Sequence, residues 1–155
     1  MSQIIPILNY EEGYREKPYI DTEGFPTVAI GIKVGPKGAP LSHYTFTVPR
    51  KVGDVWTQVF VDNIQNQCLS NPSIYAALQK CNPARADVLY SMAYQMGVAG
   101  LAGFKNTLAM ISNGKFDDAA NGMLNSKWAK QTPNRARRHS DVMRTGTYDI
   151  YKGLI

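Results

Sequence analysis

Residues 11–32 have the sequence EEGYREKPYIDTEGFPTVAIGI, and the fold prediction starts from this stretch. GFP (24–26) is a turn signal, and TVAIGI (27–32) is rich in branched residues, which favours a strand. The following residues, 33–54, contain several glycines and prolines around the β-prone segment YTFTV (44–48). They predict a loop with room for one more strand. Together these patterns predict a small β-rich lobe over residues 13–54.

The chain on either side of this lobe is predicted to be helical. Ser2 can cap a short amphipathic helix that ends at Gly13. Beyond the lobe, Ser73 and Asn82 are both candidate caps, because their short polar side chains can accept from the first backbone N–H groups of a helix. Further helix ends are predicted at Gly97, which closes an apolar stripe, and at Gly146, which ends a helix opened by Thr132-Pro133.

The sequence therefore predicts an α+β fold in a single domain over residues 1–155. Its parts are a β-rich lobe (13–54), a connecting helix (55–69) and a helical lobe (1–12 plus 70–155). Layouts of this kind commonly leave a cleft between lobes, where ligands bind.

Composition excludes several classes of protein. The 155 residues are 44% hydrophobic and 19% charged, so the chain can bury a core and wholesale disorder is excluded. Two cysteines and two histidines lie far apart in sequence, so we expect no metal site and no cofactor. Cys68 and Cys81 are expected to be reduced thiols, with a disulfide as the less favoured alternative.

Charge is unevenly distributed along the chain. The net charge is +5, and six bases lie between Lys127 and Arg144 against one acid, Asp141. Such a stretch favours a polyanionic partner, although a solvated helix face explains it equally well. No secretory signal is visible, and the longest apolar run (88–104) is too short to span a membrane. We therefore expect a chain that is made in the cytoplasm and is not stably inserted in a membrane.

Two carboxylates and a hydroxyl stand at predicted element ends. Glu12 lies where the first helix should end, Asp21 lies in the turn before the strand, and Thr27 opens that strand. Glycoside hydrolysis uses one carboxyl group as an acid and an ionised one to steer a water. From the carboxylates alone, ordinary surface charge remains the favoured interpretation.

Four ordered segments carry a family resemblance. The first is 11–32, and the others are AYQMGVAGLAGFKNTLAM (93–110), SKWAKQTPNRARR (126–138) and RTGTYDIYKGL (144–154). Together they cover somewhat under half of the chain and resemble the lysozymes of T-even bacteriophages and their phage endolysin relatives. The resemblance implies a lysozyme-like fold with a small β-rich lobe and a larger helical lobe.

The resemblance also implies catalytic roles. Glu12 would be the general acid, Asp21 would activate a water, and Thr27 would help to hold that water. The reaction would be inverting hydrolysis of the β-1,4 bond between N-acetylmuramic acid and N-acetylglucosamine, for host cell lysis. Inversion agrees with a carboxylate pair that admits a water between sugar and base.

Further matches imply a substrate-binding set. Arg135 matches an arginine that pairs with the catalytic glutamate in this family, with a helix-surface base as the alternative. Tyr94 matches a cleft aromatic and Gln95 a saccharide contact, but a core aromatic and a helix-end polar group are equally open. The rest of the set is Lys33, Thr107 and Lys127.

Several positions depart from the family pattern. Lys33 stands where an apolar residue touches saccharide. Lys127 replaces an arginine, which keeps the charge but loses the planar fork that grips carboxylates. Residues 33–82 hardly resemble the family, so sugar and stem-peptide preferences are not predicted. None of the departures touches Glu12, Asp21 or Thr27.

The resemblance also implies partners and location. The expected partner is bacterial peptidoglycan and no nucleic acid, and the protein is expected to be a monomer. It would stay in the host cytoplasm until a holin releases it, and would then act on the wall in the periplasm.

Three other functions remain open from the sequence. A lytic transglycosylase needs one acid and no water-holding carboxylate, so Asp21 and Thr27 argue against it. A nucleic-acid-binding module could use the basic stretch, but no groove-reading motif accompanies it. An inactive lysozyme-like module is the last, and the retained Glu12, Asp21 and Thr27 argue against it.

Overall fold

The structure is a computed structural model that describes residues 1–155, and it confirms the predicted α+β class. No helix in it is both long and apolar enough to cross a membrane. The strands are β1 (Arg15–Ile20), β2 (Pro26–Ala29) and β3 (Ile32–Lys33). The helices are α1 (Ile4–Glu12), α2 (Arg50–Leu69), α3 (Pro72–Leu78), α4 (Pro83–Ala102), α5 (Lys105–Ser112), α6 (Phe116–Leu124), α7 (Lys127–Gln131) and α8 (Pro133–Thr145), with short 3₁₀ turns at Leu41–His43 and Asp149–Tyr151.

The chain divides into two compact units, each described here by itself. The smaller, which we call the sheet unit, is Ile5–Phe60; the larger, the helical unit, is Met1–Ile4 with Val61–Ile155. The lobe boundaries expected from the sequence stay a prediction.

The sheet unit contains one antiparallel sheet in the order β1-β2-β3. The single strand predicted over 27–32 is wrong, because the segment folds back as β2 and β3. Ala29 and Gly31 have φ angles of 58° and 84°, which turn the chain between the two strands. The expected strand at 44–48 does not form. Instead the Val48 N–H donates to the Glu16 carbonyl at 2.7 Å, and the Tyr14 hydroxyl donates to the Val48 carbonyl at 2.7 Å.

Helix α1 ends as its sequence predicts. Gly13 has a φ of 75°, and its N–H donates to the Asn9 carbonyl at 3.1 Å. A positive φ at this position is easy for glycine and closes a helix. The Asn9 amide also donates to Asp54 of α2 at 2.8 Å, so α1 and the start of α2 are joined by a buried polar contact.

The helical unit confirms some predicted helix ends and corrects others. Asn82 caps α4 by accepting from the Arg85 N–H at 3.0 Å, and Gly146, with a φ of 72°, ends α8. The cap of α3 is Asn71 rather than Ser73. Gly97 interrupts α4 with a φ of 81° and a ψ of 158°, but the helix resumes and runs to Ala102.

The interior of the helical unit is largely apolar, with Cys68 buried in it and Cys81 half-buried. Helix α6 packs against α5 and α8. Cys68 and Cys81 are free thiols, and burial raises the pKa of Cys68 to about 11 and that of Cys81 to about 12. Because the thiolate is the reactive form, both groups are chemically quiet at neutral pH. The largest fully buried aliphatic side chains here are Ile74, Leu89, Met92, Leu101, Leu108, Ile111, Met123 and Met143.

Candidate active site

Asp21 lies in the turn that joins β1 to β2. The turn closes with two backbone bonds: the Asp21 N–H donates to the Phe25 carbonyl at 2.9 Å, and the Gly24 N–H donates to the Asp21 carbonyl at 3.1 Å. Gly24 has a φ of 92°, a conformation that glycine adopts without a steric penalty. The Asp21 side chain then bonds the backbone two residues on, as aspartates in turns commonly do.

The Asp21 carboxylate is held by the turn itself. Its Oδ1 accepts from the Phe25 N–H at 2.8 Å and from the Glu23 N–H at 2.9 Å. The Phe25 N–H is the main reason why the pKa of Asp21 is lowered from its ordinary value, and the Glu23 N–H and the charge of Lys33 act in the same direction. Both hydrogen bonds end on Oδ1, so Oδ2 is the oxygen left to accept a proton. The geometry favours an ionised base.

Thr27 lies in β2, the strand that follows the Asp21 turn. It is 1% exposed and is paired with Tyr19 on one side and Lys33 on the other. Its hydroxyl donates to the Phe25 carbonyl at 2.8 Å. The single hydroxyl proton is therefore committed, and toward any further partner Thr27 acts as an acceptor.

Glu12 is the last residue of α1 and belongs to the same unit as Asp21 and Thr27. It is half-buried, and Gly13 ends the helix directly after it. The end of α1 therefore sets the position of the Glu12 backbone, from which its side chain extends.

Lys33 is the one predicted substrate contact in the sheet unit. Its ammonium lies 4.0 Å from the centroid of the Phe25 ring and 3.2 Å from Glu23 Oε2. Lys33 and Glu23 are 50% and 67% exposed, so this ion pair adds little to stability. The hairpin therefore brings Asp21, Thr27 and Lys33 together.

The remaining predicted site residues belong to the helical unit. Gln95 accepts from the Trp128 ring N–H at 2.8 Å, so its side-chain oxygen already has a protein partner. Tyr94 precedes it in α4 and is half-buried. Thr107 in α5 is 6% exposed, and Lys127 is exposed at the start of α7.

Arg135 is the most buried base of the predicted set. It lies in α8, is 7% exposed, and donates through Nη2 to the carbonyl and hydroxyl oxygens of Ser91, at 3.2 and 2.9 Å. The alternative of an exposed helix-surface base is therefore wrong. The sequence analysis missed Ser91 and its second partner, His139. A signal existed, because His139 follows Arg135 by four residues and so lies on the same helix face.

No cluster of three or more His, Cys, Asp or Glu side chains in the structure could hold a metal ion.

A small three-stranded antiparallel sheet near the N-terminus followed by a helical remainder is consistent with an α+β fold of the lysozyme class. The family model for phage lysozyme matches residues 9–141. The chain is also 30% identical to the probable T4-type lysozyme 1 of Dictyostelium discoideum, over 98% of this chain and 99% of the relative. The chain therefore belongs to the phage lysozyme family, which confirms the predicted family and the prediction of a lysozyme.

Two further relatives are phage proteins of greater length. The pre-baseplate central spike protein Gp5 of Enterobacteria phage T4 is 29% identical over 94% of this chain and 28% of its own length. The peptidoglycan hydrolase gp36 of Pseudomonas phage phiKMV is 30% identical over 81% of this chain and 13% of its own length. In both, the region that resembles this chain is one part of a larger protein.

Proposed function

We propose that this lysozyme hydrolyses the β-1,4 bond between N-acetylmuramic acid and N-acetylglucosamine with inversion at the anomeric carbon. As a member of the phage lysozyme family it is a peptidoglycan-lytic enzyme. The observation that supports the finer proposal most strongly is the Asp21 carboxylate, which is held by two backbone N–H groups through one oxygen. Such a group is suited to stay ionised and to accept a proton from water through the other oxygen.

The hydrogen-bond directions suggest how the water is oriented. The Thr27 hydroxyl donates its one proton to the Phe25 carbonyl, so toward a water it acts as a hydrogen-bond acceptor. A water between Thr27 Oγ1 and Asp21 Oδ2 would donate one proton to each. Its lone pair would then be left for the anomeric carbon, as general base catalysis of attack requires.

Glu12 is proposed as the general acid. Cleavage needs a proton on the leaving oxygen, and a carboxyl group can supply it whereas an amide cannot. After the step, the Glu12 proton is on the leaving hydroxyl, and the proton from water is on Asp21. Both carboxyl groups belong to one unit, so their relative position is set within that unit.

The substrate-binding set is proposed with differing roles. Lys33 lies beside the Asp21 turn, so it is suited to an anionic or hydroxylated saccharide group near the attacking water. Tyr94, Thr107 and Lys127 are proposed contacts on the helical unit. Gln95 accepts from Trp128 through its side-chain oxygen, which supports a role in linking α4 to α7. Its side-chain NH₂ group is proposed to contact the substrate.

We further propose that the biological role is host cell lysis, with the enzyme held in the cytoplasm until a holin releases it to the periplasm. What supports this is that two of the relatives are phage proteins, one of them named a peptidoglycan hydrolase. Expression with and without a holin tests it. Lysis without a holin would contradict the route of release.

The product ends test the reaction. Purified Gram-negative peptidoglycan is digested with wild type and with Glu12→Gln, and the released fragments are analysed by mass spectrometry. We expect fragments that end in reducing N-acetylmuramic acid from wild type and none from the variant. Anhydro-muramic ends would instead establish a lytic transglycosylase. Reducing N-acetylglucosamine ends would contradict the bond proposed.

A further inference from the structure

A histidine is buried in the helical unit with both ring nitrogens engaged. His139 of α8 is 1% exposed, its Nε2 lies 2.7 Å from Ser91 Oγ, and its Nδ1 lies 3.0 Å from the hydroxyl oxygen of Tyr151. Ser91 Oγ also receives the Arg135 guanidinium at 2.9 Å. We call Ser91, Arg135, His139 and Tyr151 the buried network. Its hydrogen bonds link α4, α8 and the last 3₁₀ turn.

The chemistry of these groups suggests one direction for the bonds. A guanidinium only donates, so Arg135 uses Ser91 Oγ as an acceptor. With the Ser91 proton directed to His139 Nε2, that nitrogen is unprotonated and the proton of the neutral ring is on Nδ1. His139 would then donate to the Tyr151 hydroxyl oxygen.

The ring has little freedom to turn away from this arrangement. Trp128 and Tyr151 pack near it, with ring centroids 6.0 and 6.3 Å from that of His139. A ring that is packed in this way keeps Nε2 aimed at Ser91, and Ser91 in turn keeps an acceptor in front of the Arg135 guanidinium. Hydrogen bonds between buried side chains restrict the arrangements that these side chains can take.

We propose that Ser91 and His139 are positioning residues that orient the Arg135 guanidinium for catalysis, with His139 held as the neutral Nδ1–H tautomer. This inference rests on the proposed function and on the pairing of Arg135 with the general acid that the family resemblance implies. The two residues touch no substrate. They act because the Ser91 hydroxyl gives Arg135 Nη2 a second acceptor beside the Ser91 carbonyl, which narrows the orientation of the guanidinium.

The tautomer can be measured without any activity assay. The chain has two histidines, and His43 is exposed in the 3₁₀ turn of the sheet unit, so His43→Gln leaves His139 as the one ring to observe. Long-range ¹H–¹⁵N correlation spectra of labelled His43→Gln should place Nε2 at the shift of an unprotonated ring nitrogen and Nδ1 at that of a protonated one. The opposite pattern, or an imidazolium at neutral pH, would overturn the proposal.

The positioning role is tested by a double-mutant cycle of Ser91→Ala and Arg135→Ala. We expect Ser91→Ala to lower kcat about tenfold with KM within about twofold, as loss of one hydrogen bond to a charged group predicts. In the Arg135→Ala background the same change should lower kcat no further, because the residue it positions is gone. Equal losses in both backgrounds would contradict the proposal.

A matched control separates positioning from packing. Ser140 of α8 is also buried, but its hydroxyl donates to the Arg137 carbonyl at 3.0 Å and lies outside the buried network. Ser140→Ala should lower the melting temperature about as much as Ser91→Ala while kcat stays at the wild-type value. An equal fall of kcat in both variants would show that the effect is structural and overturn the proposal.

The failure of the inference and that of the proposed function are distinguishable. If Glu12→Gln keeps wild-type activity, the proposed mechanism fails whatever the network does. If Glu12→Gln is inactive but Ser91→Ala is as active as wild type, the mechanism stands and the positioning role is wrong.

Discussion

The Asp21 turn and the buried network hold their charged groups in different ways. Asp21 is held by N–H groups two and four residues away along the chain, within one hairpin. Arg135 is held by Ser91, a residue 44 positions away on another helix, whose hydroxyl meets His139. A local turn can build a carboxylate site almost alone, whereas a buried guanidinium needs side chains from several elements. The hydrogen bonds of the first site join neighbours in sequence, whereas those of the second join residues far apart in sequence.

The largest expected effect is the loss of the acid. Glu12→Gln keeps the shape of the side chain but cannot donate the proton, so kcat should fall at least about 1000-fold. Turbidity clearing of purified cell walls measures it. Glu16→Gln, an exposed carboxylate of β1, is the control and should keep wild-type activity. Residual activity within tenfold of wild type in Glu12→Gln would remove Glu12 from the mechanism.

The next effect concerns the base in the turn. Asp21→Asn can still accept the two backbone N–H groups, so the hairpin should fold while the base is lost. We expect kcat to fall about 100-fold with the melting temperature little changed. Glu23→Gln in the same turn removes an exposed charge and should leave kcat unchanged. A variant that unfolds without losing activity per folded molecule would show that Asp21 is structural.

The water-holding hydroxyl is expected to contribute less. Thr27→Val keeps the branched shape in β2 but removes the acceptor, and kcat should fall about tenfold. Thr27→Ser keeps the hydroxyl and should retain most of the activity. Equal activity of the valine and serine variants would show that no water is held there.

The Asp21 turn can also be strained without touching any reacting group. Gly24 has a φ of 92°, so Gly24→Ala should cost about 1 kcal/mol of unfolding free energy and lower kcat as the turn shifts. Gly114, between α5 and α6 of the helical unit, has a φ of 72° and nothing within 4 Å of an added Cβ, so Gly114→Ala introduces a similar strain away from the turn. Gly114→Ala should lower the free energy of unfolding by a similar amount and leave kcat unchanged. Chemical denaturation and wall clearing on both variants separate the two effects.

The smallest effect is a shift in pH dependence. The pKa of Asp21 is lowered in the folded state, so its ionised form persists below the ordinary value of 3.8. The stabilisation from these backbone bonds is complete above that value and is lost as the pH falls through the lowered pKa. Acid unfolding of Asp21→Asn should therefore lack the part of the transition that begins below pH 3.8. Identical acid transitions in both proteins would contradict it.

The sequence predicted those parts of the molecule that depend on neighbours along the chain. Gly13, Asn82 and Gly146 end or cap helices as expected, since each acts on residues within four positions. Where two local signals competed, the sequence misled: Asn71 rather than Ser73 caps α3. The split of residues 27–32 into two strands depends on a positive φ at Ala29. Alanine rarely adopts such a φ, so the sequence did not predict the split.

The site divides in the same way. Asp21 and Thr27 were predicted from the family resemblance, and in the structure both lie in one hairpin with hydrogen bonds that stay within it. Ser91 was not predicted, because its hydrogen-bond partner Arg135 lies on another helix, 44 positions further along the chain. Residues 44–48 have strand-like composition, but one main-chain bond from Val48 to β1 does not make a strand.

The stereochemistry of the first product tests the central claim most directly. A chromogenic or soluble peptidoglycan fragment is cleaved in an NMR tube, and the anomeric signals are followed before mutarotation. Attack by a water that Asp21 activates predicts the α-anomer of the reducing sugar first. The β-anomer first would mean a covalent intermediate or a double displacement, and would contradict the roles given to Asp21 and Thr27.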